Sequence, residues 1–317
     1  MISIGERVGR LRLYYYRHPS GNFGDDLNLW LWPRLLGPTF FDDDPDELLV
    51  GIGTLLNHRV PVARRTLVFG AGHGYGTVPS IDDRWHFFCV RGPLTARALG
   101  LPPELAVTDP AILVADSARA LAAPVPGRVG FMPHCDSAEA FDWAAVAHDA
   151  GLHYIDPRHP VDTVLRDIGR CEKLVSEAMH GAIVADALRV PWIAVRAYPH
   201  IADFKWQDWT EAMRVRYCPD ALQPLWSLCL GLPWRDRAKQ AVKRRLFASG
   251  LYRADWEPPL PKCSPPEERE AAVAALRRLS SQGGQLSDPR THDARLASMH
   301  TALEALRQHG RAALAAG

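Results

Sequence analysis

Short apolar runs that end in glycine, proline or a polar turn, each followed by a helical pattern, recur along this 317-residue chain. Few folds accept that rhythm. Leu11–Tyr16, Leu48–Ile52, Thr66–Phe69 and His86–Val90 read as strands, and the apolar Ala111–Val114 as one more. Between them lie a tryptophan- and leucine-rich helix, Leu27–Leu36, stopped by Gly37-Pro38, and a helix Arg91–Gly100 with proline near its start. A linker rich in alanine, proline and glycine, Ala115–Gly127, follows. The rhythm then restarts: strands Arg128–Met132, Leu152–Ile155, Lys173–Val175 and Trp192–Val195 alternate with helices Ala138–Ala150, Val161–Arg170 and Gly181–Leu188. Strands alternating with helices imply parallel sheets covered on both faces. The expected fold class is α/β: two Rossmann-like domains facing a cleft, 1–116 and 117–219, with a helical C-terminal extension over 220–317.

In that extension Trp234, Ala238, Val242 and Leu246 recur every four residues, flanked by Arg235, Arg237, Lys239, Lys243, Arg244 and Arg245. Two readings fit: a helix packed on the body with solvated basic sides, or a surface that touches anionic lipid headgroups. Glu267–Leu279 and Asp293–Ala315 read as further structural helices.

Several function classes are disfavoured. A formal net charge of +1 lacks the basic excess of a nucleic-acid binder. Cys89, Cys135, Cys171, Cys218, Cys229 and Cys263 show no CxxC spacing and read as thiols in a reducing compartment. Residues 1–10 lack the apolar core of a secretion signal, and no apolar run reaches membrane-span length, so a cytoplasmic location is expected. A dinucleotide fingerprint starting at Gly70 would need glycine where Tyr75 stands, and one starting at Gly51 meets Leu56; no Gly-Lys-Ser/Thr loop occurs. No cofactor is expected. His73, His134 and His153 lack HExxH-like spacing, so no metal is implied. Asp42-Asp-Asp44 resembles a metal-binding triplet but reads as a solvated turn.

The chemistry-bearing residues sit where strands give way to helices. His180, after the strand ending at Ser176, occupies the edge where open α/β sheets bind ligands, and an imidazole there can move protons near neutral pH. Arg91 at a helix start opposes the macrodipole and needs an anion, either a structural carboxylate or a substrate group. Arg196 ends another strand at the same kind of edge. In Asn22-Phe-Gly-Asp-Asp26, one aspartate reads as a helix cap and the other as a partner for sugar hydroxyls or a base. Gly51-Ile-Gly-Thr54 and Gly70-Ala-Gly72 permit close approach of a ligand to the backbone, and Lys205 is a candidate to face the cleft.

Taken in order, Asn22-Phe-Gly-Asp-Asp-Leu-Asn28, Gly51-Ile-Gly-Thr54, Gly70-Ala-Gly72, Val90-Arg-Gly-Pro93, Thr108-Asp-Pro110, Ser176-Glu-Ala-Met-His-Gly181 and Lys205-Trp-Gln-Asp-Trp209 resemble the polysaccharide pyruvyl transferase family over roughly residues 10–215. The resemblance implies a GT-B-like fold, phosphoenolpyruvate as donor, and a sugar or lipid-linked oligosaccharide as acceptor. It places the family's histidine on His180 and its Arg-Gly-Pro arginine on Arg91, with Arg196 as a further basic residue. Asp25 and Asp26 are the expected acceptor-orienting carboxylates; Asn22, Gly53, Gly72, Ser176, Gly181 and Lys205 complete the expected site. A nucleotide-sugar glycosyltransferase and a non-catalytic glycan-binding protein remain alternatives. The basic helix raises peripheral contact with the inner membrane face as a further expectation.

Overall fold

A computed structural model describes residues 11–37, 40–41, 47–253 and 255–315; Asp42–Asp44 therefore lies outside the described residues. Strands β1 (Arg12–Tyr14), β2 (Glu47–Val50), β3 (Arg65–Phe69) and β4 (Trp85–Cys89) form one parallel sheet in sequential order. Strands β5 (Val129–Met132), β6 (His153–Tyr154), β7 (Lys173–Ser176), β8 (Trp192–Arg196) and β9 (Asp220–Ala221) form a second parallel sheet, ordered β6-β5-β7-β8-β9. Every residue of β2 is buried, as in a strand covered on both faces. The chain reverses direction across the second sheet after β6, so the switch point lies between β5 and β7. Their ends are in register, Met132 opposite Ser176. Ligands of open parallel sheets bind outside the carboxyl ends of strands at such a point.

The helices are α1 (Phe23–Leu36), α2 (Pro93–Ala98), α3 (Val114–Ala118), α4 (Cys135–Ala140), α5 (Trp143–Asp149), α6 (Val161–Gly169), α7 (Met179–Ala187), α8 (Asp203–Met213), α9 (Trp234–Ala248), α10 (Pro266–Ser281) and α11 (Pro289–Ala315). Four departures from the sequence reading have identifiable reasons. Helix α1 begins four residues early because the Asn22 side chain caps it, accepting from the Gly24 amide. Helix α7 begins at Met179, which puts His180 in its first turn rather than in the loop before it. The expected helix 138–150 is split at Phe141-Asp142, and Asp142 caps the second piece, α5. The expected strand Ala111–Val114 is a 3₁₀ turn, Pro110–Leu113, running into α3: Asp109 caps it through Ala111 N. A wholly buried apolar run carries no period to tell these apart.

One apolar cluster runs through both halves. Phe23, Leu27 and Leu31 of α1 pack with Val164 and Leu165 of α6 and Met179 and Ile183 of α7. Trp30 Nε1 also donates to Asp162 Oδ1 at 2.7 Å. The tail helices divide between the sheets. Ala272, Leu276 and Leu279 of α10 join Val146 and Ala147 of α5, whereas Met299, Leu303 and Leu306 of α11 join the cluster containing Leu67 and Cys89 of the first sheet. Helix α9 buries no residue. No described helix is long and apolar enough to cross a membrane.

Candidate active site

A cleft of about 1150 Å³ opens along the carboxyl ends of both sheets. Residues from β1 and the loop after it, the start of α1, the loop after β2, the turn after β5, the first turn of α7 and α8 form its walls.

The α1 start is built by reciprocal hydrogen bonds. Asn22 Nδ2 donates to Asp25 Oδ2 at 2.6 Å, and Asn22 N donates to Asp26 Oδ2 at 3.2 Å. Asp26 thereby acts as a helix-capping carboxylate. Asp25 is buried against the cleft, and burial pushes its carboxyl up to about 6, against the opposing pull of His180, Asn22 and Lys205. Gly53, at φ +127, takes a backbone conformation that favours glycine, close to the Asp25 carboxylate.

His180 lies flush against α1. A Cβ on Gly24 would fall 2.1 Å from its Nδ1, so only glycine leaves room for the ring. On the opposite edge its Nε2 lies 3.5 Å from Asp109 Oδ2. Asp109 is fully buried; its Oδ1 accepts from Ala111 N, and neither Oδ2 nor His180 Nε2 has another partner. A buried carboxylate facing one imidazole nitrogen orients the ring, leaving the other nitrogen toward Gly24. Sequence reasoning missed both Asp109 and Gly24. Asp109 did carry a signal, since a Thr-Asp-Pro turn in apolar surroundings must bury its carboxylate.

Lys205, on α8, is buried along the wall, with Nζ 5.6 Å from the centre of the Tyr75 ring. Among the described residues it forms no ion pair, which leaves its charge directed at the cleft.

The two expected anion-binding arginines lie elsewhere. Arg91 is fully buried: Nε donates to Asp208 Oδ2 at 3.0 Å, Nη1 to Thr54 Oγ1 at 2.9 Å and Nη2 to the His73 carbonyl at 2.7 Å. The anion it needed is Asp208, on α8, and all three nitrogens are taken. It acts on the cleft only through Thr54, which lines it. Gly72 makes room for this guanidinium, since a Cβ there would sit 2.1 Å from Arg91 Cζ. Arg196 is half exposed, pairs with Asp203 at 2.5 Å and is off the cleft wall. Ser176 and Gly181 lie just beneath the wall. Ser176 Oγ donates to the Ala178 carbonyl at 2.8 Å, and a Cβ on Gly181 would sit 2.6 Å from that hydroxyl.

The turn after β5 adds a group that sequence spacing concealed. His134 caps α4, and burial, with Lys205, His200, His18 and His180 nearby, holds its imidazole well below the ordinary value. Glu177 ties this turn down: its carboxylate accepts from His134 N at 3.1 Å and from Ala197 N at 2.8 Å.

Comparison with known proteins bears on this arrangement. Residues 76–197, which include Asp109 and His180, match the family model described as polysaccharide pyruvyl transferase. The chain is also 42% identical over 263 residues, 82% of its own length and 78% of the relative's, to the succinoglycan biosynthesis protein ExoV of Rhizobium meliloti (strain 1021). The chain belongs to the polysaccharide pyruvyl transferase family. Membership makes it a transferase enzyme. The family match runs from the loop after β3 to the end of β8, taking in β4 of the first sheet and β5–β8 of the second.

Proposed function

We propose that this transferase moves the pyruvyl group of phosphoenolpyruvate onto a pair of sugar hydroxyls in a bacterial exopolysaccharide or its lipid-linked repeat unit, forming a ketal. The observation that carries this reading is the His180–Asp109 pair set opposite Asp25 in a cleft holding Lys205, which has no ion pair among the described residues. Lys205 and the amides at the α7 start are suited to the donor's carboxylate and phosphate. His180 delivers a proton to the methylene carbon, which makes the neighbouring carbon electrophilic. One sugar hydroxyl adds there and its proton passes to Asp25; the bond to the phosphate oxygen breaks and phosphate leaves. The second hydroxyl then closes the ketal, its proton leaving with the phosphate. Atoms balance once the proton left on Asp25 passes through solvent back to His180: donor and diol become ketal and inorganic phosphate.

In this reading Arg91 and Gly72 are positioning residues that hold Thr54 at the wall, Ser176 and Gly181 shape the turn that presents His180, and Asn22 and Gly53 set Asp25. Arg196 has no contact with the donor. The two parallel sheets meeting at the cleft support a GT-B-like arrangement of two Rossmann-like units, 1–116 and 117–219, with 220–317 as an appended segment. Helix α9 supports a peripheral location at the cytoplasmic membrane face. It exposes Trp234 and Val242 beside Arg235, Lys239 and Lys243, the composition of a helix that lies on anionic lipid.

The test is phosphate release from phosphoenolpyruvate in the presence of succinoglycan-type glycosides. Turnover that requires both substrates, and that falls at least about 10²-fold in His180→Ala with folding retained, is the expected result. Turnover of a nucleotide sugar with none of phosphoenolpyruvate overturns the reading. Sedimentation with anionic vesicles, lost on reversing the charge of Lys239 and Lys243, tests the membrane contact.

A further inference from the structure

Where β5 ends, side chains from three separate stretches of chain converge. His134, Asp136 and His200 each bring one ligand atom within 4.8 Å of the others, and His18, Cys135 and Asp136 do the same. Asp136 belongs to both sets: its Oδ1 lies 3.0 Å from His18 Nε2 and its Oδ2 3.5 Å from His134 Nδ1. Donor atoms about 2.0–2.1 Å from a tetrahedrally bound ion sit about 3.3 Å from one another. Both separations are within a few tenths of an ångström of that value.

We propose that His18, His134, Asp136 and His200 form a binding site for a divalent cation of the zinc class, made of three imidazoles and one carboxylate at the wall of the cleft. This departs from the expectation of no metal, because the ligands come from the loops after β1 and β8 and from the start of α4 after β5, and show no telling spacing. The donor set selects the ion. Imidazole-rich sites suit zinc and neighbouring transition metals, whereas magnesium and calcium take oxygen ligands. The surroundings are also those of a ligand set. His18 Nδ1 lies 2.9 Å from Ser20 Oγ, whose hydroxyl reaches the Glu139 carboxylate, an outer partner of the kind that aims a metal-binding imidazole. The His134 backbone is held by Glu177. Cys135, with Sγ 3.6 Å from His134 Nδ1, is a further donor beside the set.

His18, His134 and Asp136 line the cleft, so a bound cation would add positive charge to its wall. It would also tie the loop after β1, in the first sheet, to the α4 start and the loop after β8 in the second. The site stands independently of the transfer chemistry and of the donor's identity.

Full-length protein stripped with chelator should bind one equivalent of Zn²⁺ by calorimetry and one of Co²⁺ with the visible absorption of a four-coordinate nitrogen–oxygen site. Asp136→Asn and His200→Gln should each weaken Zn²⁺ at least about tenfold, and Cys218→Ser, at an exposed thiol, should leave binding unchanged. Zn²⁺ should raise the Tm of the unaltered protein and do so less for His18→Gln, a readout that survives if another variant fails to fold. Absence of one-equivalent uptake overturns the proposal. So does uptake that persists undiminished in both Asp136→Asn and His200→Gln.

Discussion

Replacing Asp25 by asparagine should make the protein more stable and much less active. Burial raises the Asp25 carboxyl from 3.8 to about 6. Between those values the folded protein holds a proton that the unfolded chain has released. Stability therefore falls as pH rises through this window, and the penalty is complete above about pH 6. A difference of about two pH units corresponds to about 3 kcal/mol at neutral pH. Asparagine has nearly the same shape and can still accept from Asn22 Nδ2, so it keeps the geometry and removes the buried charge. For a chain of this length, 3 kcal/mol is a rise in Tm of about 4–5 °C. Thermal scans at pH 7.5 and pH 3.5 check this: the gain should be present at the first and absent at the second. The activity of the unaltered enzyme should rise with pH through about 6 as the base deprotonates, and Asp25→Asn should lose that limb together with at least about 10²-fold in kcat. Equal Tm values at pH 7.5, or a gain that persists undiminished at pH 3.5, would refute the electrostatic reasoning.

Arg91→Met should behave as a folding variant, because it strands the buried Asp208 carboxylate; a loss of about 3–5 kcal/mol, seen in denaturant titration, is expected in place of a selective rise in donor KM. Gly24→Ala drives a methyl into His180 Nδ1 and should abolish turnover while the circular dichroism spectrum stays near that of the unaltered protein. Lys205→Met keeps the buried stem and removes the charge, so donor KM should rise at least about tenfold, measured by steady-state phosphate release.

The β–α alternation was legible because parallel strands buried on both faces are apolar throughout and end in turns that only a few residue types form. Helix starts were less so: the Asn22 cap depends on a side chain–backbone bond that propensity does not register, and α7 starts early without any side-chain cap to announce it. His180 could be placed at a strand end from sequence, since the Ser176–Gly181 turn is local. Its partner could not be matched to it, because Asp109 lies 71 residues earlier, on the turn before a run that reads as a strand. Arg91 shows the same limit from the other side. An arginine at a helix start announces the need for an anion, but whether substrate or protein supplies it was decided by Asp208, 117 residues away. Lys205, a lone cation in an aromatic helix, lines the cleft, a placement that its spacing alone does not dictate.

The apolar seam shared by α1, α6 and α7, extended by Met299, Leu303 and Leu306, governs how the molecule can be taken apart. A chain severed near residue 120 would leave two pieces with sticky, half-finished interiors, and neither would refold without the other. Heating should melt both sheets in one step, and mixing the separately expressed pieces should restore activity only if they are brought together before either collapses.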